Sequence, residues 1–277
     1  MSIKLIALDL DRTTLNAQSR LSPGNRAALE TAIFRGVHVV IASGRSFHTL
    51  PEDVLAVPGI EYAVTSNGAS LWHLPTKRCL HSFLLPPGTV ETVLRLTADQ
   101  HRLTYEGFIR GNAYGDAAYV REPERFGAVP RGLAYVKATR TLVEDMPAFL
   151  REHQDELESM DVVVPNADLR DEILARLAPA LPEVYLTSSA PQLVELAHRD
   201  AGKHAGVRLL TERLGLTREE VAAFGDADND ADLLAWAGTG IAVANASPAC
   251  RAAADFVTEH HDRDGVALGI RELLGLN

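Results

Sequence analysis

Cysteine is scarce in this chain of 277 residues: Cys79 and Cys250 are the whole supply. Two thiols cannot build a disulfide framework, and neither belongs to a Cys-x-x-Cys pair, so both are expected to be reduced thiols of a cytoplasmic protein. Positive charge is short as well. Lys and Arg number 27 against 37 Asp and Glu, a net charge of −10. Nucleic-acid binders need a basic face to meet phosphates, so no nucleic-acid partner is expected. A small phosphorylated metabolite stays open as a partner, because a few local cations outweigh a negative surface. No apolar run is long enough to span a bilayer, so no membrane association is expected. Ile3–Leu8 is too short for a signal peptide and runs straight into acidic residues. Nucleotide signatures are missing too. A Walker A loop before Lys203 would need glycine where Ala197 stands, and no Gly-x-Gly-x-x-Gly follows a strand. There is no internal repeat and no low-complexity segment.

What is present is a set of short, continuous apolar runs: Ile3–Leu8, Val37–Ala42, Tyr62–Val64, Val221–Phe224 and Ile241–Val243. Such runs suit strands buried on both faces, as in a parallel sheet. Helical segments separate most of them. Ser22-Pro23 supplies an N-cap and a proline at the first helical position, with Gly36 closing that helix; Ser247-Pro248 repeats the start, and Thr217 with Glu220 fits a capping box. Alternating strands and helices predict an α/β fold with a Rossmann-like parallel sheet. The middle is less regular. After Pro86-Pro87-Gly88, helical spacing covers Val90–Leu96, Met146–Leu157 and Leu169–Leu177, the last capped by Asp168. Strand-like runs cover Leu103–Ile109, Leu133–Ala138, Asp161–Val164 and Val184–Thr187. Residues 84–189 are therefore expected to form an inserted α+β module, with 1–83 and 190–277 forming the core domain.

Polar residues collect just after the apolar strands: Asp9 and Asp11 after the first, Ser43, Gly44 and Arg45 after the second, Asn67 after the third, Asp226 after the fourth, Asn245 after the fifth. Ligands of open α/β sheets bind outside the carboxyl ends of the strands. Asp9 and Asp11 are two apart, so an extended segment points both to one side. One carboxylate attacking phosphorus and the other moving protons is one use of such a pair; a turn with local backbone bonds is the other. Gly225-Asp226-Ala227-Asp228-Asn229-Asp230 is acidic enough to need a cation. It is not an EF-hand, because Ala231 and Ala237 stand where glycine and a bidentate glutamate belong. Helix capping accounts for one of these aspartates rather than all. Lys203 offers the counter-charge that carboxylates facing a phosphate dianion require.

In this order these pieces resemble the haloacid dehalogenase-like hydrolase superfamily, and most closely its Cof-type phosphatases. Asp9-Leu10-Asp11-Arg12-Thr13 resembles the first motif, Ile41-Ala42-Ser43-Gly44-Arg45 the second, Lys203 the third, and Gly225 to Asp230 the fourth; Thr65-Ser66-Asn67-Gly68-Ala69 is similar to an Asn-Gly-Ala stretch of this branch. The resemblance covers nearly the whole chain. It implies a Rossmann-like core with a large α/β cap inserted between the second and third motifs, a cap that reads the leaving group. It implies Asp9 as nucleophile and Mg²⁺ ligand, and Asp11 as acid/base with its backbone carbonyl on the metal. It further implies Asp226 as a metal ligand supported by Asp230, and Lys203 steadying Asp9 and the phosphoryl group. Ser43 and Asn229 are implied on the phosphate, with Gly44, Arg45 and Asn67 facing substrate. Mg²⁺ suits an all-oxygen site.

Two positions depart from the family pattern. Arg12 replaces the glycine after the second aspartate, either straining the loop or adding positive charge over the site. His204 follows Lys203, where glycine is common. Tyr105, Phe108 and Tyr114 read as packing residues, and His260-His261-Asp262 as a solvated loop with no further ligand spaced to complete a metal site. The expectation is a phosphatase of small phosphate monoesters, sugar phosphates or phosphorylated cofactors. A phosphomutase sharing the aspartyl-phosphate step, and a metabolite sensor on the same fold, are the alternatives. Transfer without phosphate release marks the first, and tight binding without turnover the second.

Overall fold

The structure is a computed structural model that describes residues 2–276, with the side chain of residue 131 left aside. The chain divides into two compact units. One takes the chain up to Arg45, then Leu50–His81 and everything from Gly202; the other takes Ser46–Thr49 and Ser82–Ala201.

The first unit is built on an eight-stranded sheet. Its strands in chain order are β1 (Leu5–Leu8), β2 (His38–Ala42), β3 (Tyr62–Thr65), β4 (Ser70–His73) and β5 (Arg78–Ser82). The next six strands of the chain belong to the second unit. β12 (Val221–Gly225), β13 (Thr239–Ala242) and β14 (Phe256–Val257) complete the first sheet, in the order β14-β13-β12-β1-β2-β3-β4-β5. β14, β13, β12, β1, β2 and β3 run parallel, while β4 turns back antiparallel on β3. Leu5 to Leu8, Val39 to Ala42 and Val221 to Phe224 are all buried, as expected of central strands covered by helices on both faces. The helices start where the residues allow. Ser22 Oγ accepts from Asn25 N, with Pro23 at the first helical position of Pro23–Phe34. Thr217 N donates to Glu220 Oε2 at 3.0 Å, and the predicted capping box forms. From β1 the sheet grows one way through β2 and the other through β12, so β1 flanks the switch point where open α/β sheets place their ligands.

The second unit has a six-stranded sheet: β6 (Thr104–Ile109), β7 (Asn112–Asp116), β8 (Arg140–Val143), β9 (Leu157–Val163), β10 (Val184–Thr187) and β11 (Leu193–His198). The order is β10-β11-β9-β6-β7-β8, with antiparallel pairs except β7 and β8. Helices Thr89–Leu96, Met146–Glu152 and Ala167–Leu177 cover one face. Val93, Leu150 and Ile173 pack there on Tyr105, Met160, Val162 and Leu196.

Four expectations for this unit need correction. The chain returns to the first unit at Gly202 and not at residue 190, because β11 pairs with both β10 and β9. Leu133–Ala138 lies in the helix Pro130–Thr139; Pro130 sits at its first position, and leucine, alanine and lysine favour the helix. The helix from Met146 stops at Glu152, since Leu157 opens β9. Asn166, not Asp168, caps Ala167–Leu177, with Oδ1 accepting from Leu169 N at 2.9 Å. Tyr105 and Phe108 are buried, and Tyr114 packs on the core that holds Tyr105, so all three are packing residues as read from sequence. Among the described residues, no helix is long and apolar enough to cross a membrane.

Candidate active site

Five strand ends of the first sheet converge on one cluster. Asp9 follows β1 in extended conformation, with its N–H on Phe224 O at 3.1 Å and its side chain buried. The next residues form a tight turn, closed by Leu15 N on Leu10 O at 2.8 Å and by Thr14 Oγ1 on Asp9 O at 2.6 Å. After β2, Ser43 is buried, and its Oγ accepts from Arg45 N at 3.2 Å. The turn after β3 is laced to that segment: Ser66 N donates to Arg45 O at 2.9 Å and Asn67 N to Ser43 O at 3.2 Å. Asn67 is left-handed (φ 53°), a conformation asparagine tolerates better than most residues. Gly68 (φ 90°) must be glycine, because a Cβ there would stand 2.0 Å from Gly202 O. That close approach, with Gly202 N on Asn67 O at 2.9 Å, brings Lys203 in at the start of the helix Lys203–Arg213.

Lys203 is fully buried. Its Nζ donates to Asp9 Oδ1 and to Asp230 Oδ1, each at 2.7 Å. The two carboxylates hold the ammonium protonated far above its ordinary range, against burial, which acts in the opposite direction. Asp230 Oδ2 accepts from Asp226 N and Ala227 N at 3.0 and 3.1 Å, so this side chain shapes its own loop as well as orienting the lysine. Asp226 accepts from Thr13 Oγ1 on Oδ1 at 3.2 Å, while its buried Oδ2 makes no hydrogen bond among the described residues and lies 3.3 Å from Arg12 Nη1. Asn229 Nδ2 donates to Asn67 Oδ1 at 2.9 Å, leaving its own buried Oδ1 unpartnered.

Burial raises the Asp9 carboxyl well above the ordinary range, with the charges of Asp230 and Asp226 adding to the effect and Lys203 opposing it. Burial and Asp230 push Asp226 up to about 7, against Arg12 and Lys203. The cluster thus carries more negative charge than its cations balance. Asp9, Asp226 and Asp230 offer three carboxylate oxygens within 4.8 Å of one another. An all-oxygen donor set, an orphaned carboxylate oxygen and surplus negative charge fit a hard divalent cation.

Asp11 stands apart. Its side chain is 51% exposed and lies on Arg45, whose Nε and Nη2 each donate to one carboxylate oxygen at 2.7 Å. Sequence spacing put Asp9 and Asp11 on one side; the structure gives them different environments. Gly44 lies against Asn67, whose Oδ1 would stand 3.1 Å from a Cβ at that position. Arg12 is left-handed (φ 61°) and sits beside Asp226, so both consequences read from sequence hold together. Three polar residues given no catalytic, metal or substrate role from sequence help build the site. Thr13 holds Asp226, Asn245 Nδ2 donates to Arg12 O at 2.9 Å, and Ser247 N donates to Asp226 O at 2.7 Å. Their only signal was position: within the first motif or just past β13. His204 Nδ1 is buried without a hydrogen-bond partner among the described residues, and burial lowers the affinity of the imidazole for a proton.

Residues 6–270 match the family of haloacid dehalogenase-like hydrolases. The chain belongs to that family. This hydrolase is 29% identical to the 5-amino-6-(5-phospho-D-ribitylamino)uracil phosphatase YcsE of Bacillus subtilis, over 98% of this chain and 96% of the relative. It is 26% identical to the phosphatase YwpJ of the same organism, over 98% of this chain and all of that one. A solved haloacid dehalogenase-like hydrolase from B. subtilis superposes with a TM-score of 0.84 at 25% identity, covering 98% of this chain and 100% of the other. The chain is thus a phosphatase-type enzyme of the haloacid dehalogenase-like hydrolases, of the Cof type in its inserted second unit.

Proposed function

We propose that this enzyme is a Mg²⁺-dependent phosphatase of small phosphate monoesters, working through an aspartyl phosphate on Asp9. The observation that carries the reading is the asymmetry of Asp9. Its Oδ1 is clamped by Lys203, while Oδ2 makes no hydrogen bond among the described residues. A buried carboxylate with one oxygen fixed and one uncommitted is what in-line attack on phosphorus requires. Asp9, Asp226 and Asp230 would hold Mg²⁺. When bound, that ion neutralises and orients the phosphoryl oxygens.

The protein groups divide the remaining work. Asp9 attacks phosphorus as the bond to the leaving oxygen breaks, and Asp11 gives that oxygen a proton. Asp11 then takes a proton from water, which attacks the acyl phosphate and returns Asp9 with inorganic phosphate. Ser43 and Asn229 contact phosphoryl oxygens, and Lys203 offsets the charge on Asp9. Gly44, Arg45 and Asn67 line the substrate side. A polyol or sugar phosphate is the favoured substrate class. The relative YcsE carries a phospho-D-ribitylamino compound in its name, and its similarity runs the length of both chains. A metabolite of this kind and two free thiols suit a reducing cytoplasm.

The test is phosphate release from an aryl phosphate with and without Mg²⁺, in wild type and Asp9→Asn. Wild-type release that needs Mg²⁺ and falls at least about 10³-fold in the variant is expected. Activity retained by Asp9→Asn refutes the mechanism. Label transferred from a sugar 1-phosphate to its 6-position, with no free phosphate, replaces it with a mutase.

A further inference from the structure

His260, His261 and Asp262 looked like a solvated loop in the sequence, yet only 6% of His261 is exposed. His261 Nδ1 lies 2.9 Å from Leu15 O. A carbonyl only accepts, so Nδ1 carries the proton and Nε2 carries the lone pair. Nε2 makes no hydrogen bond among the described residues and faces Asp262 Oδ2 at 3.7 Å. His260 Nδ1 accepts a long bond of 3.2 Å from Asp262 N and lies 3.8 Å from the same Asp262 Oδ2, so its single lone pair must give up that bond to serve an ion. One ligand atom from each of the three residues lies within 4.8 Å of the other two.

We propose that His260, His261 and Asp262 form a binding site for a late first-row divalent ion such as Zn²⁺ or Co²⁺, separate from the acidic cluster around Asp9. Two imidazole nitrogens and one carboxylate oxygen select such an ion over Mg²⁺. A tetrahedral ion with bonds of about 2.0–2.1 Å holds its ligand atoms about 3.3 Å apart, so each imidazole nitrogen would draw in on Asp262 Oδ2 from its present 3.7 or 3.8 Å. Three protein ligands leave the fourth position to water.

The supports behind these ligands are in place. Leu15 O fixes the tautomer and ring of His261. Asp262 Oδ1 accepts from Ala17 N at 2.7 Å, leaving Oδ2 free for the ion. Asn245 Oδ1 accepts from His261 N at 3.1 Å. Outer contacts of this type commonly orient metal ligands. The side chains of His260 and Asp262 are 38% and 40% exposed, giving an ion a way in. Through Leu15 and Ala17 the bound ion would tie down the far end of the turn that begins at Asp9.

Cobalt distinguishes this site from the acidic one. The full chain is titrated with Co²⁺ in excess Mg²⁺, which occupies the all-oxygen cluster, and visible absorption is read. One equivalent is expected to bind with the strong visible bands of low-coordinate, nitrogen-ligated Co²⁺. The dissociation constant should rise about tenfold or more in both His260→Ala and Asp262→Asn. Circular dichroism confirms that these half-exposed variants fold, whereas His261→Gln disturbs a buried contact. Absence of the bands in wild type overturns the proposal. So does unchanged affinity in both variants, or bands lost in Asp226→Asn and retained in His260→Ala. No outcome depends on phosphatase turnover, so the active-site reading stands or falls separately.

Discussion

Arg45 grips Asp11 with both prongs of its guanidinium, Nε on Oδ2 and Nη2 on Oδ1, each at 2.7 Å. The proposed acid/base therefore rests on a fork that fixes its plane, and it must leave that fork to reach substrate. Asp11→Asn should give one equivalent of nitrophenol in a rapid burst from nitrophenyl phosphate, then turn over slowly, because a good leaving group needs no proton but the acyl phosphate still needs water activated. On an alkyl phosphate the same variant should lose about 10²–10⁴ in rate with no burst. Arg45→Lys cannot form the bidentate pair and should slow both substrates about 10-fold or more at little change in KM. Rapid-quench kinetics reads these patterns, and a KM effect alone would make Arg45 a substrate anchor instead.

Lys203 is the cation between Asp9 and Asp230, buried with both. Lys203→Ala leaves two buried carboxylates uncompensated, and the fold should lose about 3–5 kcal/mol. Mg²⁺ offers replacement charge, so the gap in melting temperature between wild type and variant should narrow as Mg²⁺ is added. Thermal unfolding with and without Mg²⁺ decides it; a gap that does not respond to Mg²⁺ separates the lysine from the metal site.

Arg12 pays in backbone conformation for a charge placed beside Asp226. Arg12→Gly should recover about 0.5–1 kcal/mol of backbone strain. It also removes a cation 3.3 Å from the orphaned Asp226 Oδ2, so Mg²⁺ should bind more tightly. Calorimetric titration with Mg²⁺ measures the change; weaker binding in the glycine variant would mean that Arg12 organises the loop for the metal.

The parts of the molecule legible in sequence share a physical cause. β1, β2 and β12 are buried on both faces, so their apolar runs are uninterrupted, and each must end in whatever the site requires. Asp9, Ser43 and Asp226 are therefore visible as the first polar residues past such runs. Lys203 is not: the need for a counter-charge pointed to it, but nothing local shows that its helix starts where Gly202 packs on Gly68. The second unit was harder, because its strands are apolar on one face and carry charge on the other. Leu133–Ala138 has strand-like content but a helical start at Pro130, and β11 follows a proline-containing break that resembles a domain boundary. His261 was misjudged because polarity predicts exposure, whereas Leu15 O and Asn245 supply the bonds that let this histidine be buried.

The charged face of the second sheet yields a further prediction. Glu106, Asp161 and Glu195 sit side by side in register on β6, β9 and β11, all buried. Glu106 is matched by Arg140, with Nε on Oε1 at 2.6 Å and Nη2 on Oε2 at 3.1 Å; Glu195 Oε1 accepts from Ser189 Oγ at 3.0 Å. The Asp161 side chain between them has no hydrogen bond among the described residues. Burial, followed by the charges of Glu195 and Glu106, raises its carboxyl well above the ordinary range. The folded state thus holds a proton that the unfolded chain releases near pH 4, so this contribution to stability is complete below about pH 4 and lost as pH rises through the folded value. Asp161→Asn keeps the shape without the titration. Its melting temperature should match wild type near about pH 4 and exceed it increasingly above, reaching a gain of about 1–3 kcal/mol by neutral pH. Melting curves of both proteins across that range check the sign: a wild type that gains on the variant as pH rises would mean that Asp161 is ionised and held by Arg140.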